Sequence, residues 1–341
     1  MRKKKDDNHL HYISELRQDP ASGDWIVIAT ARNKKFRDLF IKSQKRQIPP
    51  PKNCPFENPQ ATGHKAPELI KFLPAKKDWF LQIFENKHPA LQPENVSVEE
   101  RKFGPYGVIN GRGYHELLLL RNHSKPLSEY SIQEIKVVLA ALQERYQKIS
   151  QDKKNKYISI FHNWGVSAGA SLYHPHLQII AVPVIPPAIR HSLTGAFKYY
   201  QRHRHCVYCD VLNFELKEKK RVIFRNKNAV LMTPFISKEP FELKIFPRQH
   251  SSYFEEEKEE VLLDMAEALK FGLSAFKKKL GDPDFNLFIH TAPVANKKNE
   301  HHFHWHIEII PKISISAGFE LSTGIEITTI DPDEGARFLR A

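Results

Sequence analysis

The sequence predicts an α+β fold of two tandem halves, each an antiparallel sheet with helices packed on it. Three observations carry this. A helix-period stretch, a strand-like run and a His-x-His tripeptide follow one another in that order, and the series occurs twice. The first copy opens at "NHS" (122–124) and continues into "SEYSIQEIKVVLAALQERYQKI", where Ile135, Val138, Leu139 and Leu142 form one apolar stripe. Ser131 followed by Glu134 reads as a capping box. Next come the strand-like "YISIFHNWG" and His174-Pro175-His176. The second copy opens at "QHS" (249–251) and runs through "FEEEKEEVLLDMAEALKFGLSAF" and "FNLFIHTAP" to His304-Trp305-His306. His123 to His174 spans 51 residues and His250 to His304 spans 54. The Pro-rich "AVPVIPPAIRH" separates the copies, which divides the chain into 1–190 and 191–341.

The stretch "SLYHPHLQII" (171–180) carries the chemistry. Side chains alternate along a strand, so His174, His176 and Gln178 share one face and Leu177 and Ile179 the other. Pro175 cannot donate to a ladder and belongs at the strand start or on an edge. A half-buried strand with a merely solvated polar face is the plain alternative. Two imidazoles and a carboxamide in a row favour a site. In "HHFHWHIEII" the same alternation sends His302, His304, His306 and Glu308 one way, and Phe303, Trp305, Ile307 and Ile309 into the core.

Each copy is preceded by a cysteine knuckle: Cys54-Pro-Phe-Glu57 and Cys206-Val-Tyr-Cys209. Adding the His that precedes each helix and the first His of each His-x-His yields two sets of four candidate ligands. They are Cys54, Glu57, His123 and His174, and Cys206, Cys209, His250 and His304. Tetrahedral zinc takes such sulfur and nitrogen donors, with carboxylate oxygen acceptable. The second set, with two thiolates, suits a structural zinc better than the first.

Net charge is +13, which favours anionic partners. The Lys and Arg residues are spread, with small clusters at 32–35, 217–221 and 277–279. No second close Cys-x-x-Cys and no basic stripe interleaved with aromatics accompany them, so a zinc-containing nucleic-acid-binding protein is the weaker alternative. Three cysteines do not make a disulfide framework. No apolar window of 18 residues suggests a membrane span, and "MRKKKDDNHL" lacks a signal-peptide core, so no membrane partner and a cytoplasmic location are expected. Residues 1–10 read as a frayed tail.

Taken together, these segments resemble the galactose-1-phosphate uridylyltransferase family of the histidine-triad superfamily. "LRQDPASGDWIVIATAR" (16–32) resembles its opening strand pair, "NCPFENP" its cysteine knuckle, and "RNHSKPLSEYS" the segment bearing a zinc histidine. "FHNWGVSAGASLYHPHLQ" (161–178) is similar to its active-site signature, and "AGFELSTG" (317–324) to the segment that contacts the hexose. The resemblance implies two histidine-triad-like halves and double displacement on UDP-glucose with a hexose-1-phosphate, as in galactose metabolism. His176 is then the nucleophile that holds UMP, and Gln178 steadies the phosphate. Histidine-triad hydrolases carry a third His where Gln178 stands. It further implies substrate contacts at Asn163, Gly169 and Ser171, at Glu320 on the sugar, and at Arg32 near a subunit interface of a homodimer. ADP-sugar phosphorylases share the architecture and are the competing activity. Some members hold a second metal with a Glu and three His. The aligned "PPAIRHSL" has no acid, so the Cys206–Cys209 knuckle is preferred over a site built from His290, His304 and His306.

Overall fold

The computed structural model describes residues 14–32, 46, 48–74, 77–94, 96–295, 297 and 300–340. The N-terminal tail and residues 33–35 of the first basic cluster lie outside them. A small sheet joins β1 (Glu15–Gln18), β2 (Trp25–Ile28) and the late β15 (Glu326–Thr328). A separate hairpin holds β5 (Arg101–Phe103) and β6 (Tyr106–Val108).

The main sheet has ten strands. The first half supplies β3 (Leu69–Phe72), β4 (Trp79–Glu85), β7 (Tyr114–Leu120), β8 (Tyr157–Trp164) and β9 (His176–Val182). The second supplies β10 (Val222–Arg225), β11 (Ala229–Met232), β12 (Leu243–Pro247), β13 (Phe285–His290) and β14 (His306–Pro311). Outward from the centre the order is β8-β9-β7-β4-β3 on one side and β13-β14-β12-β11-β10 on the other. The repeat seen in the sequence is therefore a repeat of topology, with the halves related about the β8–β13 seam. That seam is antiparallel and runs from Phe285↔Trp164 to Ile289↔Ile160, so one sheet spans both halves.

Helix α1 (Ile132–Ile149) connects β7 to β8. Its N-terminus is closed by the expected capping box, Glu134 N–H to Ser131 Oγ at 3.2 Å and Ser131 N–H to Glu134 Oε2 at 2.8 Å. Helices α2 (Pro187–His203) and α3 (Val207–Glu218) follow β9, and residue 190 falls within α2. Helix α4 (Glu259–Leu280) connects β12 to β13; the short α5 (Gly318–Thr323) and α6 (Pro332–Arg340) come last. The apolar stripes of α1 and α4 pack on one face of the sheet and on each other, burying Val138, Leu142, Leu269 and Phe276 with Ile160, Ile179, Ile289 and Ile307. The helices cover that face, so the polar rows of β9 and β14 emerge on the other.

One expected placement is corrected. Trp305, Ile307 and Ile309 enter the main core, but Phe303 packs on the opposite side with Tyr157, Ile189 and Leu193. Its ring meets Tyr208 and His306, whereas Trp305 meets Phe254. Strict alternation needs extended backbone, and β14 begins only at His306. Before it the chain turns, with the Phe303 N–H donating to Glu300 O.

A buried ion pair ties α1 to β7: Arg145 makes two 2.6 Å bonds to the Glu116 carboxylate. Removing one partner leaves the other charge buried. Glu116→Ala is expected to lower the unfolding free energy by about 3 kcal/mol in chemical denaturation.

Buried His162, on β8, donates its Nδ1–H to the His176 carbonyl at 2.7 Å. Burial lowers its pKa to about 4. Above the unfolded value of about 6.5 neither state is charged. As pH falls from there toward about 4, the unfolded chain gains a proton that the folded chain refuses, so stability is lost across that window. At about 1.4 kcal/mol per pH unit, the stability gap between wild type and His162→Leu should move in the variant's favour by about 3 kcal/mol between pH 7 and pH 4.

Candidate active site

Pro175 precedes the first residue of β9, as a residue without an N–H requires, and its carbonyl accepts the Leu120 N–H. His176 opens the strand and is 7% exposed. Its Nδ1 lies 2.8 Å from the His174 carbonyl oxygen. A carbonyl only accepts, so Nδ1 carries the proton and Nε2 keeps a free lone pair. Burial holds the ring below the usual histidine range, which keeps it neutral at pH 7. Phe56 packs edge-on against it at 5.3 Å.

Gln178 is held by a residue that sequence reading missed. His115 on β7 accepts the Ala90 N–H at Nδ1 (3.0 Å), so its proton sits on Nε2. Of the two neighbours of Nε2, only Gln178 Oε1 at 3.0 Å can accept, Asn86 Nδ2 at 3.1 Å being a donor. The carboxamide is thereby turned so that its NH2 is free. Nothing about His115 in the sequence announced this, because the partner is 63 residues away.

Residues 165–175 form the loop between β8 and β9. Gly165 (φ 87°) and Gly169 (φ 84°) take backbone conformations that a side chain strains. The N–H groups of Ala168, Gly169 and Ala170 bond to the carbonyls of Gly165, Val166 and Gly165. The small-residue run thus spends these donors on its own turn.

In the first ligand set the ligand atoms of Cys54, His123 and His174 lie within 4.8 Å of one another, and Glu57 approaches the two histidines. Cys54 Sγ is 3.6 Å from His174 Nδ1, and Glu57 Oε1 is 3.2 Å from His123 Nδ1 and 3.6 Å from His174 Nδ1. The outward nitrogens donate to backbone carbonyls, His123 Nε2 to Pro49 at 2.8 Å and His174 Nε2 to Leu120 at 2.6 Å. Both Nδ1 lone pairs are therefore aimed inward. Glu57 Oε1 and His123 Nδ1 are buried without hydrogen-bond partners, as unfilled ligand atoms would be. Burial lowers the His174 pKa to about 4 and raises the Cys54 thiol.

The second set converges as well. The ligand atoms of Cys206, Cys209, His250 and His304 lie within 4.8 Å of one another, and Cys209 Sγ is 3.3 Å from His250 Nδ1 and 3.5 Å from His304 Nδ1. Cys206 sits at the N-cap of α3. The Cys209 thiol, then His250 and His304, hold the Cys206 thiol far below its usual range. Both donor sets suit a tetrahedral, thiophilic ion.

Gln178 lies opposite Phe161, and Glu308 opposite Phe288, so His176 corresponds to His306, Gln178 to Glu308 and Asn163 to His290. The His306 ring repeats the pose of His176, with Nδ1 3.1 Å from His304 O. Its surroundings differ. Lys244 Nζ is 3.1 Å from Glu308 and 3.7 Å from Glu242, and the ion pair keeps Glu308 ionised despite burial. His290, His306 and Glu308 group at a cavity of about 410 Å³, apart from His304, which turns to the cysteines. Arg32 lies just after β2 and Glu320 on α5, and among the described residues no hydrogen bond or ion pair joins either to His176 or Gln178.

Comparison with known proteins gives this geometry its relatives. Residues 3–186, more than half of the chain, match a family model described as galactose-1-phosphate uridyl transferase, N-terminal domain. Residues 127–337 match a domain of unknown function, DUF4921. An ADP-glucose phosphorylase of Arabidopsis thaliana is 34% identical over 333 residues, covering 96% of this chain and 92% of the relative. A galactose-1-phosphate uridylyltransferase of Thermotoga maritima is 29% identical over 337 residues, covering 96% and 98%. The crystal structure of an Arabidopsis ADP-glucose phosphorylase with bound ADP-glucose superimposes with a TM-score of 0.80 at 32% identity, covering 96% of this chain and 99% of that one. A solved uridylyltransferase does so at 0.73 and 28%, covering 96% and 97%. The chain belongs to the galactose-1-phosphate uridyl transferase family, and so to enzymes of the nucleotidyltransferase and phosphorylase type.

Proposed function

We propose that the protein moves a nucleoside monophosphoryl group from a nucleoside diphosphate sugar to a phosphate-bearing acceptor by double displacement at His176. The observation that carries this is the neutral, tautomer-fixed His176 with Nε2 unencumbered. In the first step Nε2 attacks the α-phosphorus, a P–N bond forms, and the bond to the bridging oxygen breaks to release sugar-1-phosphate. The adduct's imidazole is cationic, and the Nδ1–H bond to the His174 carbonyl stabilises it. In the second step an acceptor phosphate oxygen attacks phosphorus and the P–N bond breaks. The NH2 groups of Gln178 and Asn163 donate to non-bridging oxygens. Gln178 has no proton to exchange near pH 7, so it steadies phosphate without activating water.

The donor and acceptor we assign are ADP-glucose and inorganic phosphate, supported by the 34% identity to a relative bearing that activity. The uridylyl pair, UDP-glucose with a hexose-1-phosphate, is the second reading, supported by the family model and the Thermotoga relative. Both predict an adduct on His176. Incubation with the donor alone should add one nucleoside monophosphate per chain by intact mass, acid-labile and base-stable. His176→Ala should remain unmodified and lose turnover by orders of magnitude. Whichever of ADP- or UDP-glucose labels the protein names the base, and an adduct surviving in His176→Ala would overturn the assignment.

Each four-residue cluster is proposed to hold zinc, which when bound supplies a rigid crosslink of the knuckle to the strand bearing His-x-His. Arg32 and Glu320 are proposed to reach substrate in a homodimer. No helix among the described residues is long and apolar enough to cross a membrane. Cys206→Ser is expected to lose one equivalent of metal and to melt several degrees lower, because the binding energy of a structural site is folding energy. Elemental analysis with thermal denaturation checks both.

A further inference from the structure

We propose that Asn286, supported by Asp284, is a positioning residue for the nucleotide site: it locks the Asn163 carboxamide so that NH2, rather than oxygen, faces the substrate's phosphates. The inference rests on the reading of the β8–β9 face as the nucleotide site and deepens it. Asn163 follows His162, which pairs with Leu177, so it stands beside His176 on the same face. Across the seam Asn163 pairs directly with Asn286 of the second half. Asn286 Nδ2 donates one hydrogen to Asn163 Oδ1 at 2.9 Å and the other to Ala168 O at 2.8 Å. With both hydrogens spent, Asn286 can satisfy Asn163 only through its oxygen. The Asn163 Nδ2 is left pointing toward Gly169, where an added Cβ would lie 4.0 Å away.

Asp284 braces the same loop. Its Oδ2 accepts the Ser167 N–H at 2.7 Å, and its Oδ1 meets Arg46 at 2.5 Å. Arg46 also bonds Asp282 at 3.0 Å and lies over the Trp164 ring at 4.8 Å. Gly165 is wedged against this pair: a Cβ there would fall 1.9 Å from Asp284 Oδ1 and 2.5 Å from Arg46 Nη1. Two side chains of the second half therefore set the donor geometry of the first. An unpinned carboxamide can rotate by half a turn and offer its oxygen, which repels phosphate.

Asn286→Asp tests this, because Asp is nearly isosteric yet only accepts. It should draw in the Asn163 NH2 and turn the Asn163 oxygen outward. Binding of ADP-glucose and UDP-glucose is measured by calorimetry in a His176→Ala background at neutral pH, where no covalent step occurs. Asn286→Asp should weaken the better ligand by about tenfold, more than Asn286→Ala does. In an Asn163→Ala background the same change should cost little further. Equal weakening with and without Asn163, or a larger loss for Ala than for Asp, would overturn the proposal. Both would mean packing or bulk charge rather than orientation. Failure of the adduct experiment would count against His176 and leave this result standing.

Discussion

The antiparallel seam between β8 and β13 is the constraint on which the rest depends. Each half alone would expose the edge of a five-stranded sheet, with unpaired backbone donors and acceptors along β8 or β13. Pairing the two edges satisfies those groups and makes one continuous face on which α1 and α4 share a core. It also puts second-half side chains within hydrogen-bond reach of the first-half site. The molecule is duplicated in architecture and asymmetric in chemistry, and the asymmetry operates through the seam.

The two His-x-His strands show how one backbone supports different chemistry. In each, the second His donates Nδ1–H to the carbonyl of the first. In the first half the next same-face residue is Gln178, oriented by His115 to offer hydrogens. In the second it is Glu308, an anion matched to Lys244. A carboxylate paired to a lysine fills its own site electrostatically and presents nothing to a phosphate. Around His306 the rings of Phe246 and His290 stack on either side of the imidazole. The first site instead keeps donors that the protein itself does not use.

Much of this was legible from spacing. The repeat, both ligand sets and the His176–Gln178 row follow from periods of 3.6 and 2 and from residue types whose chemistry is narrow. Glu57 could be named because its partners recur in the second copy. His115, Asn286 and Asp284 were not legible, since His, Asn and Asp are common and their roles arise from hydrogen-bond partners 63, 123 and 117 residues distant. Phe303 was misplaced because periodicity presumes a strand, and the chain there is a turn.

By itself the sequence determined the two-fold repeat, the helices with their capping box, the alternation that buries Leu177 and Ile179, and the inventory of candidate ligands and the candidate nucleophile. Those are local properties, set by each residue and its neighbours along the chain. Only the tertiary structure decided which tautomer His176 holds, which way Gln178 and Asn163 turn their amides, and that Lys244 neutralises Glu308. Gln178, Asn163 and Glu308 depend on partners brought from distant segments, and His176 on the backbone conformation that sets the His174 carbonyl against its ring; a hydrogen bond's direction is fixed by which atom the partner presents.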